Sequence, residues 1–438
     1  MSHILYPTTN LKATEQLAIN RGQGIYVYDN QGKQYIEGLA GLWCTALGYG
    51  NQELIETAQS QMNAMAYGHL FGGRTHQVGI DLADKLAEMV PINNAKVFYG
   101  NSGSDANDTQ IKLLRYYFNA IGQPQKRKII SRQSAYHGVT IGAASLTGIA
   151  ANHQHFDLPI EALGILHTDA PHYYRHGLPG ESESAFVDRL VGNLASLIER
   201  EGAETIACFI AEPVNGAGGV IVPPAGYFEK VQALLKANNI LFLDDEVICG
   251  FGRTGSDFGA STFDLQPDMM SLAKALSSAY FPISAAVIDG AIYDALVEPS
   301  AEVGVFGHGY TYSGHPVGCA VALKTLEIYQ RDGIFDHAAR VGAYFQRQLK
   351  AFTEHPLVGE VRGVGLLAAL ELVADKANKT PFVTGAVGAH CYRQCLEQGL
   401  IVRAVAGNSI ALCPPLIITE AQVDELLTKL KCALDSTL

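Results

Sequence analysis

Short apolar runs bounded by turn residues open the chain. Gly24 to Asp29 reads as a strand, Asn30-Gln31-Gly32 as a turn and Gln34 to Glu37 as a second strand, so a hairpin is expected. From about Gln52 to Ala66, and again from Gly79 to Met89, apolar residues recur at i, i+3 and i+4, the pattern of a helix with one buried face. Strands and helices then alternate. Lys96 to Tyr99, Arg127 to Ile130, Ile206 to Ala211 and Ile240 to Leu243 have strand character, and Asp105 to Asn119, Ala185 to Glu199 and Tyr227 to Ala237 have helical character. Such alternation predicts an α/β fold with a large, mainly parallel mixed sheet and helices on both faces. Past about Pro316 a helix leads into a smaller α+β portion containing Gly363 to Val373 and Gly399 to Arg403. The stretch from His153 to His176 carries several histidines without metal-ligand spacing and reads as a surface loop.

Composition narrows the class. A chain of 438 residues exceeds one comfortable core and implies a large and a smaller domain. Apolar residues make up 48% and charged ones 17%, which suits a large core and an extensive subunit contact. With 31 basic against 43 acidic residues the formal charge is −12, arguing against nucleic acid or an anionic membrane as partner. The eight cysteines lack zinc or disulfide spacing, so reduced and mostly buried thiols are expected. The stretch from Met1 to Gly24 has no basic start followed by an apolar block, and no uncharged apolar run approaches ~20 residues. The default expectation is a soluble cytoplasmic protein.

In an open parallel sheet, ligands bind beyond the carboxyl ends of the strands, and the residues suited to chemistry lie there. The strand Ile240 to Leu243 runs straight into Asp244-Asp245-Glu246. Carboxylates at the end of a buried strand are costly unless a cation meets them, and a protonated pyridine nitrogen is one such group. Lys274 is the only charge in Met270-Ser271-Leu272-Ala273-Lys274-Ala275-Leu276, a setting that lowers an amine's pKa and favours its attack on a carbonyl; the alternative is a snorkelling surface lysine. Gly100-Asn101-Ser102-Gly103-Ser104-Asp105 joins a strand to a helix, either as a capped turn or as an anion cradle. Tyr136, in Ser134-Ala135-Tyr136-His137-Gly138, is a loop aromatic or a platform for a planar ligand.

Taken in order, NSGSDAND, DEVICGFGRTG, the Pro267-Asp268 pair, the lysine in AKALSSAYFP and GYTYSGHP resemble the class III (omega) aminotransferases, pyridoxal-phosphate enzymes of fold type I, over nearly the whole length. The GLWC string around Trp43 resembles the amine:pyruvate and beta-alanine:pyruvate branch. The resemblance implies a large pyridoxal-phosphate-binding domain, 59–316, and a small domain built from 1–58 and 317–438. It implies that Lys274 holds the cofactor covalently and later moves a proton, and that Asp245, rather than Asp244, pairs with the ring nitrogen. It further implies that Gly103 and Ser104 cup the phosphate, that Tyr136 and Val247 cover the two ring faces, and that Glu212 lies near the cofactor. Thr311 is expected to reach the phosphate of a neighbouring subunit, which requires a homodimer or a tetramer. Trp43, Phe71, Tyr136 and Arg403 are the expected substrate contacts, with Phe71 lining the partner's pocket and Arg403 engaging a carboxylate and swinging away for apolar amines. Arg253 and Arg362 match family positions and read as structural. Two departures stand out, Asp105 where the family more often has glutamate and Gly72 where it more often has bulk.

The reading is therefore transfer of an amino group from a terminal amine or omega-amino acid to an oxoacid, pyruvate first, in two half-reactions. Rivals are a 2-oxoglutarate-linked aminotransferase, an aminomutase or decarboxylase of the same fold, and a cofactor-binding protein without catalysis.

Overall fold

The computed structural model describes residues 3–12 and 16–438. The first two residues of the N-terminal stretch considered above, and 13–15, lie outside them. The hairpin forms as expected, Tyr26–Asp29 (β2) pairing with Gln34–Glu37 (β3) so that Tyr26 faces Ile36. A strand absent from the sequence reading, Ile19–Gln23 (β1), adds to its other edge; most of its residues are exposed, so it carries no apolar signal.

The large sheet has seven strands: Lys96–Gly100 (β4), Lys128–Arg132 (β5), Ile165–Thr168 (β6), Ile206–Ala211 (β7), Leu241–Asp245 (β8), Met269–Leu272 (β9) and Ser284–Ile288 (β10). Their order is β4-β10-β9-β8-β7-β5-β6, with β10 antiparallel to both neighbours and the other pairings parallel. The α/β architecture with a mainly parallel mixed sheet is thus the one the alternation predicted. Every residue of β7 is buried, as a strand covered by helices on both faces must be.

After Pro316–Arg331 and Ile334–Leu349, two helices, the chain forms Val358–Val364 (β11), Leu367–Asp375 (β12), Thr380–Pro381 (β13), Leu400–Ile401 (β14), Arg403–Val405 (β15) and Ser409–Leu412 (β16). β11, β12, β16 and β15 make an antiparallel sheet, with β13 on β12. β14 instead pairs in parallel with β3, joining the two ends of the chain. The main core runs without a break from Ile25 and Ile36 through Phe209 and Phe242 to Leu370 and Leu430. Among the described residues no helix is long and apolar enough to cross a membrane.

The histidine-rich stretch is not the surface loop expected. It contains β6 and the short helix Tyr173–His176, and His172 is buried between Glu360 and Glu371. Its strand lies at the sheet edge and is only four residues long, with an apolar run of just Ile165 and Leu166 to mark it. Three possible metal donors meet at His172, Glu360 and Glu371. The Arg362 guanidinium already sits on both carboxylates, and Arg175 binds Glu371, so the charge a cation would meet is neutralised.

One buried carboxyl makes stability depend on pH. Burial pushes Glu37, at the end of β3, up to about 7, although the Leu39 N–H donates to it. The folded chain therefore binds a proton that the unfolded chain releases near its ordinary carboxylate pKa. Stability present below about pH 4.5 falls as pH rises towards 7, by roughly 3 kcal/mol on simple linkage. Glu37→Gln keeps the neutral shape; its melting temperature is expected to match wild type at pH 4.5 and exceed it at pH 8, and equal curves at both would refute this.

Candidate active site

β8 and β9 are parallel neighbours in register, Asp245 opposite Ser271. This register brings together two residues far apart in sequence, because the chain leaves β9 and reaches Lys274 three residues beyond Asp245's partner. Strand alternation decides which carboxylate serves the site. Asp245 faces a cavity of about 670 Å³, whereas Asp244 and Glu246 do not line it and are fully buried. Burial raises both of those carboxyls, and their mutual repulsion raises Asp244 further, so the pair holds a proton.

The same cavity is lined by Trp43, Gly103, Ser104, Asn107, Tyr136, His137, Glu212, Val247, Lys274 and Arg403. Nine of the eleven residues singled out from the sequence thus meet here: Trp43, Gly103, Ser104, Tyr136, Glu212, Asp245, Val247, Lys274 and Arg403. A wider open groove of about 1600 Å³ elsewhere, lined by Pro223, Tyr227 and Phe228 among others, gathers none of them.

Asp245 is held by three donors. Its Oδ2 accepts from Asn107 Nδ2 and from His137 Nδ1, each at 2.8 Å, and its Oδ1 from the Val247 N–H at 3.1 Å. A carboxylate only accepts, so Nδ1 of His137 carries the hydrogen. The His137 backbone N–H donates to Thr147 Oγ1, and Asn107 donates also to the His137 carbonyl, which holds the imidazole's own segment in place. Asn107 and His137 were missed as positioning groups, although both lie inside the quoted motifs; nothing local marks a polar side chain as converging on a carboxylate from another strand.

Lys274 opens a 3-10 turn with φ of 49°, a left-handed conformation that costs a lysine of order 1–3 kcal/mol and is sustained by its surroundings. Its amine donates to no protein group among the described residues. Burial lowers its pKa, and Asp245 opposes that shift.

Gly103 and Ser104 form the first turn of the helix Gly103–Ala120. Asp105 takes the N–H groups of Asn101 and Ser102 on its carboxylate, and its own N–H goes to Ser102 Oγ. Asp105 therefore completes a capping box, and the shorter acid is compatible with the turn. The Gly103 and Ser104 N–H groups are left without a partner among the described residues, facing the cavity from a helix amino end. Gly103 must be glycine for a second reason, since a Cβ would come within 2.9 Å of Val247.

Glu212, at the end of β7, accepts from the Tyr136 and Gly216 N–H groups at 3.0 and 2.9 Å. Its pKa is raised by burial. Arg403 begins β15, half buried, with no carboxylate partner among the described residues; burial lowers its pKa while the nearby Tyr136 hydroxyl raises it. Trp43 is 2% exposed and closes one wall. Thr8, which the sequence did not mark, also borders the cavity.

Phe71 and Thr311 lie outside it. Phe71 is 47% exposed, Thr311 is exposed, and the Thr311 carbonyl accepts from Tyr67, whose ring packs edge-on to Tyr312. Arg253 is buried and donates to the Leu366 and Pro414 carbonyls, a tie between segments.

The family model for class-III aminotransferases matches residues 9–434. A gamma aminobutyrate transaminase of Solanum lycopersicum is 50% identical over 97% of this chain and 81% of its own length. The vanillin aminotransferase of Capsicum annuum is 48% identical over 94% of this chain and 90% of its own. Among solved structures, an omega transaminase from Pseudomonas jessenii in complex with PMP superposes with a TM-score of 0.97 at 49% identity, covering 99% of this chain and 96% of that one. The cavity fits pyridoxal phosphate on its own terms: unpartnered N–H groups for an anion, a fixed carboxylate for a ring cation, and a buried amine for a carbonyl. The chain belongs to the class-III aminotransferases and is a pyridoxal-phosphate-dependent omega-aminotransferase of fold type I.

Proposed function

We propose that this enzyme moves an amino group from a terminal amine or omega-amino acid to pyruvate, releasing alanine. The observation that carries the substrate half of this reading is Arg403, a half-buried guanidinium without a carboxylate partner among the described residues, lining the same cavity as Tyr136. An arginine so placed receives a carboxylate on its fork when an amino or oxo acid enters. A donor without a carboxylate meets the apolar wall of Trp43 instead.

When bound, the cofactor supplies a carbonyl that takes up the amino group and a ring that withdraws electron density from the reacting carbon. The chain's residues do the rest. Lys274 would anchor the cofactor and, as a free amine of lowered pKa, would carry a proton to and from the amino-bearing carbon. Asp245, aligned by His137 and Asn107, keeps the ring nitrogen protonated. Gly103 and Ser104 hold the phosphate, and Tyr136 and Val247 confine the ring. Glu212 fixes the Tyr136 backbone and borders the cofactor's place.

We also infer a homodimer. It is supported by the exposed face that carries Phe71 and Thr311 together with Tyr67 and Tyr312. A second copy would bring this face to its partner's cavity. The large domain is taken as 59–316, and the small one as 1–58 with 317–438. Within this reading the enzyme works in the cytoplasm; some relatives carry chloroplastic or mitochondrial names, so cell fractionation is the check.

A second reading takes 2-oxoglutarate as acceptor, and the gamma aminobutyrate transaminases among the relatives favour it. The visible spectrum separates the two. Cofactor-loaded enzyme is expected to lose its yellow absorbance with alanine and with 2-aminobutane but not with L-glutamate; loss with glutamate alone would transfer the assignment to 2-oxoglutarate. Arg403→Ala is expected to raise KM for pyruvate and alanine by about 10- to 100-fold, the loss of a charge-assisted pair, with 2-aminobutane affected less than about threefold. Unchanged pyruvate kinetics in this variant would sink the role of Arg403.

A further inference from the structure

Glu360 and Glu371 stand directly opposite each other on β11 and β12, an arrangement of like charges that destabilises a sheet unless bridged. Arg362, two residues along on the face of Glu360, supplies the bridge. Its Nη1 donates to Glu360 at 2.6 Å and to Glu371 at 2.5 Å, and its side chain is 8% exposed. The fork's other two nitrogens are directed elsewhere. Nε donates to the Gly219 carbonyl at 2.8 Å and Nη2 to Ser409 Oγ at 3.1 Å.

These two contacts belong to segments that form adjoining walls of the active-site cavity, the loop of Glu212 and Ala217 and the hairpin of Arg403 to Ala406. Ser409 faces Val405 across the β15–β16 hairpin, whose β15 begins at Arg403 and whose turn residue Ala406 also lines the cavity. Gly219 closes the loop after β7: its N–H donates to the Gly216 carbonyl, and Gly216 N–H to Glu212, which also takes the Tyr136 N–H. The walls touch nearby, since a Cβ on Gly219 would lie 3.1 Å from Arg362 Nη2 and 3.4 Å from Ala406 Cβ.

We propose that Arg362 is a positioning residue for substrate carboxylate recognition: one guanidinium joins the Gly219 loop to the Arg403 hairpin and sets the distance between Arg403 and Tyr136. This rests on the reading that Arg403 receives the carboxylate. The glutamate pair fixes the plane of the fork, so the two donors facing the walls are held in one orientation. A lysine can neutralise the glutamates but cannot reach Gly219 and Ser409 at once.

The test compares cofactor-loaded wild type with Arg362→Lys, Ser409→Ala and, as reference, Arg403→Ala. Trp43 is the only tryptophan and lines the cavity, so its emission reports binding without turnover. Propanoate, a carboxylate with no group to transfer, is titrated against this emission. Arg362→Lys is expected to weaken propanoate binding and raise KM for pyruvate by about tenfold, and Ser409→Ala by about threefold, both within the roughly 2- to 12-fold that one ordinary hydrogen bond contributes, since the lost contact acts on the carboxylate only through Arg403. KM and kcat for 2-aminobutane and the cofactor absorbance are expected to stay within twofold. Equal losses for amine and carboxylate substrates, or no change for either, would overturn the inference. If Arg403→Ala binds propanoate like wild type, the reading of Arg403 fails and the proposal with it. If Arg403→Ala loses propanoate while Arg362→Lys and Ser409→Ala keep it, the positioning role alone fails.

Discussion

Replacing Lys274 by alanine is expected to lower kcat/KM by about 10³-fold or more, because a positioned proton carrier alone contributes about 10²- to 10⁴-fold and covalent anchoring is lost with it. The structure makes this lysine suited to the task. It lines the cavity, mostly shielded from solvent and without a hydrogen-bond acceptor among the described residues, its pKa is lowered by desolvation, and its backbone is left-handed. A surface lysine would have none of these properties. The direct readout is chemical. After borohydride reduction and proteolysis, the peptide carrying Lys274 should retain the mass of the cofactor, and Lys274→Ala should retain none. Finding that mass on another lysine would reassign the anchor.

The second large effect is expected from Asp245→Asn. Oδ2 takes both side-chain donors, His137 Nδ1 and Asn107 Nδ2, and Oδ1 takes the Val247 N–H. An amide has one acceptor oxygen and one NH₂ group, so either orientation sets a donor against a donor within a dry site. Loss of the charge also removes what keeps a ring nitrogen protonated. Turnover is expected to fall by about 10²- to 10³-fold, the scale of losing one preorganised electrostatic contact, and the cofactor to bind more weakly. Equilibrium dialysis against pyridoxal phosphate and steady-state rates on the same preparation check both. Wild-type turnover in the asparagine variant would assign the ring contact to another group.

Much of the fold was legible from local pattern, and most of the site residues that the family resemblance named line the cavity. Continuous apolar runs such as Ile206 to Ala211 marked strands buried on both faces, and the hairpin at Tyr26 to Glu37 was readable from its turn. What escaped was weakly patterned. β1 is mostly exposed, and β6 has only Ile165 and Leu166 as an apolar run before His167 and Thr168, so the first shows no apolar signal and the second one too short to read. Asn107 and His137 were unassigned because their role depends on a carboxylate that reaches them from a different strand. Phe71 and Thr311 fall on an exposed face outside this chain's cavity, a placement compatible with the expectation that both serve a neighbouring subunit.

By itself the sequence determined most of the segments that become strands and helices, and it placed the chemically suited residues at strand ends, because periodicity, capping and turn chemistry act over a few residues. Only the tertiary structure decided that Asp245 rather than Asp244 faces the cavity, that Lys274 meets it, and that Arg362 binds both walls around Arg403. Those outcomes follow from strand register and sheet order, which are set by packing between distant segments, and a shift of one residue in β8 would have turned the other carboxylate inward.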